Sequence, residues 1–400
     1  MTLPENKATR LQTTFILMQA FTSGFTHIYI WRLQENIIYL AYYDLIYYIF
    51  TAAAYLFAGY VLRKLSVRKT LIIATIFFIA GYSMVPILKE GIVDYLLLFA
   101  LLKGIGNGLY WASYNILELE VSRDMKREQY LGKIAGNAAM VGMAVPIISG
   151  YIITRYSTGS EYLGYYILFT LSIGVSFYLI YLATKVRNIK FSHYRLRDVI
   201  RVGSSKEFRP ISLIGLINGF TGVGKYFISV ILSYFILGSE FALGAFASIF
   251  GFLNGIYNYK ISTRLNPKNR VLTSFLGSTL VVAGEIIFIT FLNFSSMIIR
   301  QVSGIIGTPL MSLSETSILF RFMQKHSHYR SDAELEHLAA NDIFLGVGRI
   351  GGIAAFIIFL QIFGNNNFNA VRFWFFILSL SPFLVWWLHK KVQVETKEIK

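Results

Sequence analysis

Apolar positions along this chain run on in stretches of about 20 residues, the length at which an α-helix crosses a bilayer. Twelve such segments can be drawn: 11–31, 36–62, 70–88, 93–119, 131–154, 162–184, 210–237, 241–259, 271–292, 297–320, 340–363 and 368–388. Short polar connections separate them, except for the longer polar stretch 185–209 between the sixth and the seventh. Twelve segments of this length account for most of the 400 residues. The pattern predicts an all-α integral membrane protein with twelve transmembrane helices.

Composition supports that reading. The chain is 55% hydrophobic and 14% charged, whereas a soluble domain carries roughly 25% charged residues. The net charge of +16 would suggest nucleic acid in a soluble protein, but its distribution suggests topology instead. Lys and Arg gather on the cytoplasmic side of membrane proteins, and here they gather in every second connection. Arg63, Lys64, Arg68 and Lys69 follow segment 2; Arg123, Lys126, Arg127 and Lys133 follow segment 4; eight lie between Lys185 and Arg209. Lys260, Arg264, Lys268 and Arg270 follow segment 8, Arg321, Lys325 and Arg330 follow segment 10, and the tail has four lysines. The other connections hold little beyond Arg32, Lys89 and Arg155. This alternation places both termini and the central linker in the cytoplasm of a multi-pass cell-membrane protein, with no nucleic-acid partner. Lys7 and Arg10 precede an apolar stretch with no small-residue cleavage site, so the first segment reads as an uncleaved helix. The absence of Cys excludes disulfides and Cys-based metal sites.

The linker divides the chain into six segments and six, and the halves echo each other weakly. Gly104-Ile105 through Asn115 in segment 4 matches Gly304-Ile305 through Glu315 in segment 10. Gly136-Asn137 and Gly142 in segment 5 match Ala340-Asn341 and Gly346 in segment 11. After segment 2 the chain reads Gly59-Tyr-Val-Leu-Arg63-Lys64-Leu-Ser66-Val-Arg68-Lys69, and segment 5 reads Gly142-Met-Ala-Val-Pro146-Ile-Ile-Ser149-Gly150.

Two six-helix halves, a basic central linker and these two motifs resemble the major facilitator superfamily over nearly the whole chain. The resemblance implies bundles at 1–184 and 210–389 around a central cavity, a cytoplasmic linker at 185–209 and a cytoplasmic tail at 390–400. In the family's first motif an Asp latches the loop to a neighbouring helix. Here that position is Arg63 and the second Gly is Ser66, so a charge-reversed latch would join Arg63 or Lys64 to Glu118 and Glu120, and these residues with Arg68 form the expected cytoplasmic gate; otherwise they are solvated loop charges. The second motif resembles the Gly-Pro motif of antiporters and implies export. Its bland alternative is a small-residue packing face with a Pro kink.

Charges inside a span cost a few kcal/mol at least and need a partner, a cavity or a function. Asp44 lies roughly 12 Å into segment 2 and Lys103 roughly 15 Å into segment 4 at 1.5 Å per residue, so the two are expected to pair, either as part of a substrate pathway or to orient helices. Glu315 and Arg349 fall at similar depths toward the cytoplasmic side. Glu315, tuned by burial against an arginine, is the expected proton-coupling carboxylate. Lys225, after Gly219, Gly222 and Gly224, would face an anionic substrate or pair with Glu285. Asn107, Trp111, Tyr114 and Asn115 share one helical face with Lys103, a polar and aromatic surface suited to an organic solute. Asn137 and Asn341 would approach from segments 5 and 11. Tyr39, Tyr42, Tyr43, Tyr47 and Tyr48 read as an interfacial belt, and His27 as an interfacial or capping residue.

No nucleotide loop and no metal-spaced His/carboxylate cluster is present, so no cofactor or metal is expected and the chain is not expected to be an enzyme. The expected function is proton-coupled secondary transport of a small organic solute by a monomer, with export ahead. The alternatives are import or facilitated entry of a sugar or organic anion and, from another class, a membrane-embedded transferase or a sensor without transport.

Overall fold

The computed structural model describes residues 3–121, 127–157, 161–189, 196–206, 208–262, 270–326, 333–365 and 367–398. Arg123, Lys126, Lys190, Arg195, Arg264, Lys268, Arg330 and Lys400, part of the charge pattern above, lie outside them. Among the described residues there are α-helices and no strands. In chain order they are α1 (Leu3–Ala20), α2 (Ser23–Gln34), α3 (Ile37–Lys64), α4 (Val67–Leu88), α5 (Leu96–Val121), α6 (Arg127–Tyr156), α7 (Leu163–Lys185), α8 (Leu196–Gly203), α9 (Arg209–Leu237) and α10 (Glu240–Ser262), followed by α11 (Arg270–Phe291), α12 (Phe294–His326), α13 (Ala333–Phe363), α14 (Phe368–Ser379) and α15 (Ser381–Glu398). Each apolar segment coincides with one helix or with a broken pair. Nine stretches among the described residues are long and apolar enough to cross a membrane, and one of these, Val67–Glu118, contains both α4 and α5.

The breaks have local causes. Segment 1 divides at Thr22, where the Tyr82 hydroxyl donates to Gln19 Oε1 at 2.9 Å and holds the turn inside the helix packing. Segment 12 divides at Leu380, just before Pro382, which lacks the N–H that a continuing helix needs. Helix starts carry side-chain caps. Asn36 Oδ1 accepts from the Ile38 N–H at 3.1 Å to open α3, and Asn367 Oδ1 accepts from the Ala370 N–H at 3.2 Å to open α14.

The chain forms two compact units: Met1–Tyr194 with Leu237–Phe252, and Arg195–Ile236 with Leu253–Lys400. In the first, α3 and α4 both pack on α5, and α1, α6 and α7 pack together. Glycines set the spacing. A Cβ at Gly104 or Gly108 of α5 would collide with the backbone oxygens of Tyr47 and Thr51 of α3. In the second unit α11 pairs with α12, and α14 and α15 pack on α11. Here a Cβ at Gly219 of α9 would collide with Leu345 O of α13, and Gly348 and Gly352 meet α9 in the same way. Small residues that let two backbones touch are the usual basis of helix association in a bilayer.

Candidate transport site

In the first unit Asp44 of α3 and Lys103 of α5 are both buried, but they do not pair with each other. Asp44 accepts from His27 Nε2 of α2, its two oxygens lying 3.2 and 3.1 Å away. Lys103 Nζ donates to the Tyr43 hydroxyl at 2.9 Å. The rings of Phe99, Tyr82 and Tyr43 surround that ammonium at 5.1, 5.4 and 5.6 Å from their centroids, within cation–π range. Gly81 of α4 leaves room for the lysine stem, since a Cβ there would lie 3.1 Å from Lys103 Cγ. The expected Asp44–Lys103 ion pair is thus replaced by a His–carboxylate pair beside a lysine in an aromatic cage.

Farther along α5 the polar and aromatic face takes shape around Phe15 of α1, which stacks on Tyr110 at 3.5 Å between centroids. Trp111 meets the edge of Phe15 at 5.8 Å and is partly exposed. Tyr110 donates to Gln12 Oε1 at 2.8 Å, and the Tyr114 and Tyr130 hydroxyls lie 2.9 Å apart. The Asn115 amide donates to the Tyr55 hydroxyl at 3.0 Å, and Asn137 of α6 donates to Thr13 Oγ1 at 2.7 Å. Asn107 is buried.

At the far end of α2, Arg32 bridges Glu240, the first residue of α10, at 2.9 Å and Glu161 at 2.8 Å. The Tyr165 hydroxyl also donates to Glu240 at 2.8 Å. Next to this clasp α6 and α10 touch through backbone. A Cβ at Gly150 would strike Glu240 O, one at Gly244 would strike Pro146 O, and the Ile147 N–H donates to Ser248 Oγ at 3.0 Å. Pro146, Ile147 and Gly150 of the Gly-Pro motif thus lie in a contact with α10.

Two ionic groups of the second unit are seen among its described residues. Lys225 of α9 lies 2.8 Å from Glu285 of α11, the pairing left open by the sequence. Arg300 of α12 donates to Ser229 Oγ at 2.9 Å and lies over the Phe288 ring at 5.1 Å. Glu315 of α12 accepts from Ser274 Oγ at 3.3 Å and faces His389 Nε2 of α15 at 3.7 Å. Glu315 therefore pairs with a histidine and a serine, not with Arg349 as expected. Arg349 and Asn341 lie on α13 against the glycines of α9, where a Cβ at Gly215 would come 3.2 Å from Asn341 Oδ1 and one at Gly219 would come 2.8 Å from the Arg349 nitrogen.

The family model for the Major Facilitator Superfamily matches residues 14–355. The chain belongs to the Major Facilitator Superfamily. It is similar to the uncharacterized protein YqgE of Bacillus subtilis (strain 168), 25% identical over 388 residues that cover 95% of this chain and 87% of the relative. Among solved structures it resembles the nucleoside transporter NupG, with TM-score 0.67 and 11% identity over 98% of this chain and 99% of that one. It also resembles the E. coli fucose:proton symporter FucP, with TM-score 0.63 and 11% identity over 96% and 98%. At such identities these structures establish a shared fold. Family and fold together make this a membrane solute transporter and not an enzyme.

The superfamily's loop latch takes another form in this member. Arg63 and Lys64 are exposed. Instead Arg68 donates through Nε and Nη2 to Val186 O at 3.2 and 2.8 Å, the Val67 N–H donates to Ile189 O at 3.0 Å, and Arg187 bridges Glu120 at 3.3 Å. The loop after α3 is thus fastened to the start of the linker after α7.

Sequence reasoning missed His27, Tyr43, Arg300, His389 and Glu240 as partners. Tyr43 was grouped with its neighbours as a membrane belt, yet it is buried. His27 and Arg300 were readable as ionisable residues inside apolar stretches, the criterion applied to Asp44 and Lys103. Segment 12 ended at 388 on hydropathy, one residue short of His389.

Proposed function

We propose that this transporter carries a small organic solute across the cell membrane by alternating access, coupled to protons, with its termini in the cytoplasm and as a monomer. The observation that carries the proton coupling is that Asp44 and Glu315 each face a histidine, at 3.1 and 3.7 Å, and not a lysine or arginine. An arginine holds its proton permanently, so a carboxylate fixed to one stays ionised. A carboxylate and an imidazole can share, gain or lose a proton in the physiological range. Lys103, Asn107 and Trp111 form the solute-facing surface of the first unit in this reading, with Asn115 and Asn137 beside them, and Asn341 and Arg349 are the polar groups that the second unit contributes. The clasp of Arg32 with Glu240 and Glu161 is the proposed gate at the opposite end from the basic loops.

Export is favoured by the resemblance of Gly142–Gly150 to the antiporter motif. Import of an organic anion is less well supported, because Lys225 is neutralised by Glu285. Flux of candidate solutes in proteoliposomes, with and without an imposed pH gradient, tests both points. Gradient-driven accumulation is expected in the parent protein and is expected to fail in Asp44→Asn and Glu315→Gln variants that still insert. Full gradient-driven accumulation in both variants would remove the assignment, and the sign of the flux decides direction.

A further inference from the structure

Phe15 of α1 and Tyr110 and Tyr114 of α5 form a column of nearly parallel rings, with interplanar angles of 9° and 8°. Gln12 and Tyr130 fasten the two tyrosine hydroxyls. The Trp111 indole stands across that column, at 88°, 89° and 82° to the three rings and 5.8, 6.1 and 6.0 Å from their centroids. It is held in place by the column while 36% of it stays exposed. The apolar, partly exposed stripe of α5 is another one: Leu98, Leu101, Leu102 and Ile105, at spacings of three and four. Trp111 instead continues the row of Lys103 and Asn107, with Asn115 one turn farther on.

Asn107, one turn before Trp111, is 8% exposed, and its amide makes no hydrogen bond among the described residues. Its polar atoms are not sealed inside the protein either. A buried amide left unpaired is costly, so such a group marks a place where something else binds. The Trp111 N–H likewise makes no hydrogen bond among the described residues. An amide side chain offers a C=O acceptor and an NH2 donor side by side. Its complement is an N–H next to a C=O, the edge of a lactam. An exposed indole face favours another flat ring. The two residues lie one turn apart, about 5–6 Å between Cβ atoms, a span that a single flat ring can bridge. The ammonium of Lys103, farther along the row, is already held by the Tyr43 hydroxyl and three rings, so nothing beside Asn107 asks for a charged ligand.

We propose that the face of Asn107 and Trp111 binds a neutral, flat heteroaromatic compound that carries an N–H beside a C=O on its ring edge. The ring stacks on the Trp111 indole, and the edge pairs with the Asn107 amide. This names the solute class for the surface assigned above to the solute, and it rests on that reading.

The test titrates full-length protein in phosphatidylcholine nanodiscs, read by calorimetry, with uracil and with carbostyril. Their comparators are dihydrouracil and the fully saturated analogue of carbostyril, which keep the lactam edge and lose the flat ring. At least one flat compound is expected to bind saturably, and about tenfold more tightly than its comparator, as for one stacking contact. Trp111→Ala should lose that preference, and Trp111→Phe, which keeps a ring face, should retain most of it. Methylating the ring N–H of the bound compound should weaken binding to the parent protein about tenfold, whereas Asn107→Leu should bind the methylated and unmethylated forms alike. Trp387→Ala removes an exposed tryptophan of the second unit and serves as the control. No saturable binding of either flat compound, equal affinity for the saturated ones, or the same loss in the control overturns the proposal. Binding is read without a gradient, so a failure of proton coupling leaves it untouched. Binding that meets these criteria with no flux of the same compound in proteoliposomes would strike the transport role of this face and leave the binding site standing.

Discussion

Lys103 in the first unit and Lys225 in the second are both lysines within membrane helices, and they are compensated in different ways. Lys225 has a carboxylate partner, Glu285, at 2.8 Å, so its charge is neutralised within the protein. Lys103 has a hydroxyl and three ring faces, while the nearby carboxylate of Asp44 is engaged by His27. A buried ion pair can be removed as a pair but not by halves. A cation held by neutral groups leaves no counter-charge behind when it is changed, and it remains able to respond to a solute or a proton. The second unit thus neutralises its lysine across two helices, and the first holds its lysine with a hydroxyl and aromatic rings.

The largest effect expected from this contrast is at Lys225. Lys225→Met leaves Glu285 buried without its cation and should cost about 3–5 kcal/mol, read by unfolding of the detergent-purified protein. Adding Glu285→Leu should restore most of that loss, and a double variant as unstable as the single one would show that the pair is not self-contained. Next come the glycine contacts, which the two units share. Gly108→Leu and Gly219→Leu should each destabilise by about 1–3 kcal/mol through overpacking, and a marked inequality would mean that one unit is packed more loosely than its backbone contacts imply. Lys103→Met should cost only about 1 kcal/mol of stability, the worth of one hydrogen bond, yet reduce solute flux about tenfold or more, equivalent to about 1.4 kcal/mol in the barrier. If flux were unchanged while stability collapsed, the lysine would be structural like Lys225. The smallest effect is expected at the exposed Arg187–Glu120 bridge, where Glu120→Gln should change stability by about 0–1 kcal/mol.

The depth arithmetic brought Asp44 and Lys103 to the same neighbourhood, because rise per residue in a membrane helix is nearly constant. It could not choose partners, since depth does not specify rotation. Tyr43 and Asp44 are adjacent in sequence and point to different neighbours, so one captures Lys103 and the other captures His27. Likewise Glu315 turned out to face α15 and α11 instead of α13. The loop latch shows the same limit. The basic run after segment 2 was legible, but its docking on backbone carbonyls of the linker was not, because a carbonyl acceptor has no side-chain signature.

Hydropathy and charge distribution by themselves determined that this is a helical membrane protein and which residues are too polar to face lipid, because a bilayer penalises every unpaired charge regardless of fold. The tertiary structure alone decided which of those residues neutralise each other and which are held by rings and hydroxyls. Those outcomes depend on helix rotation and on glycine-set approach distances, and small changes in either exchange one partner for another without altering the pattern along the chain.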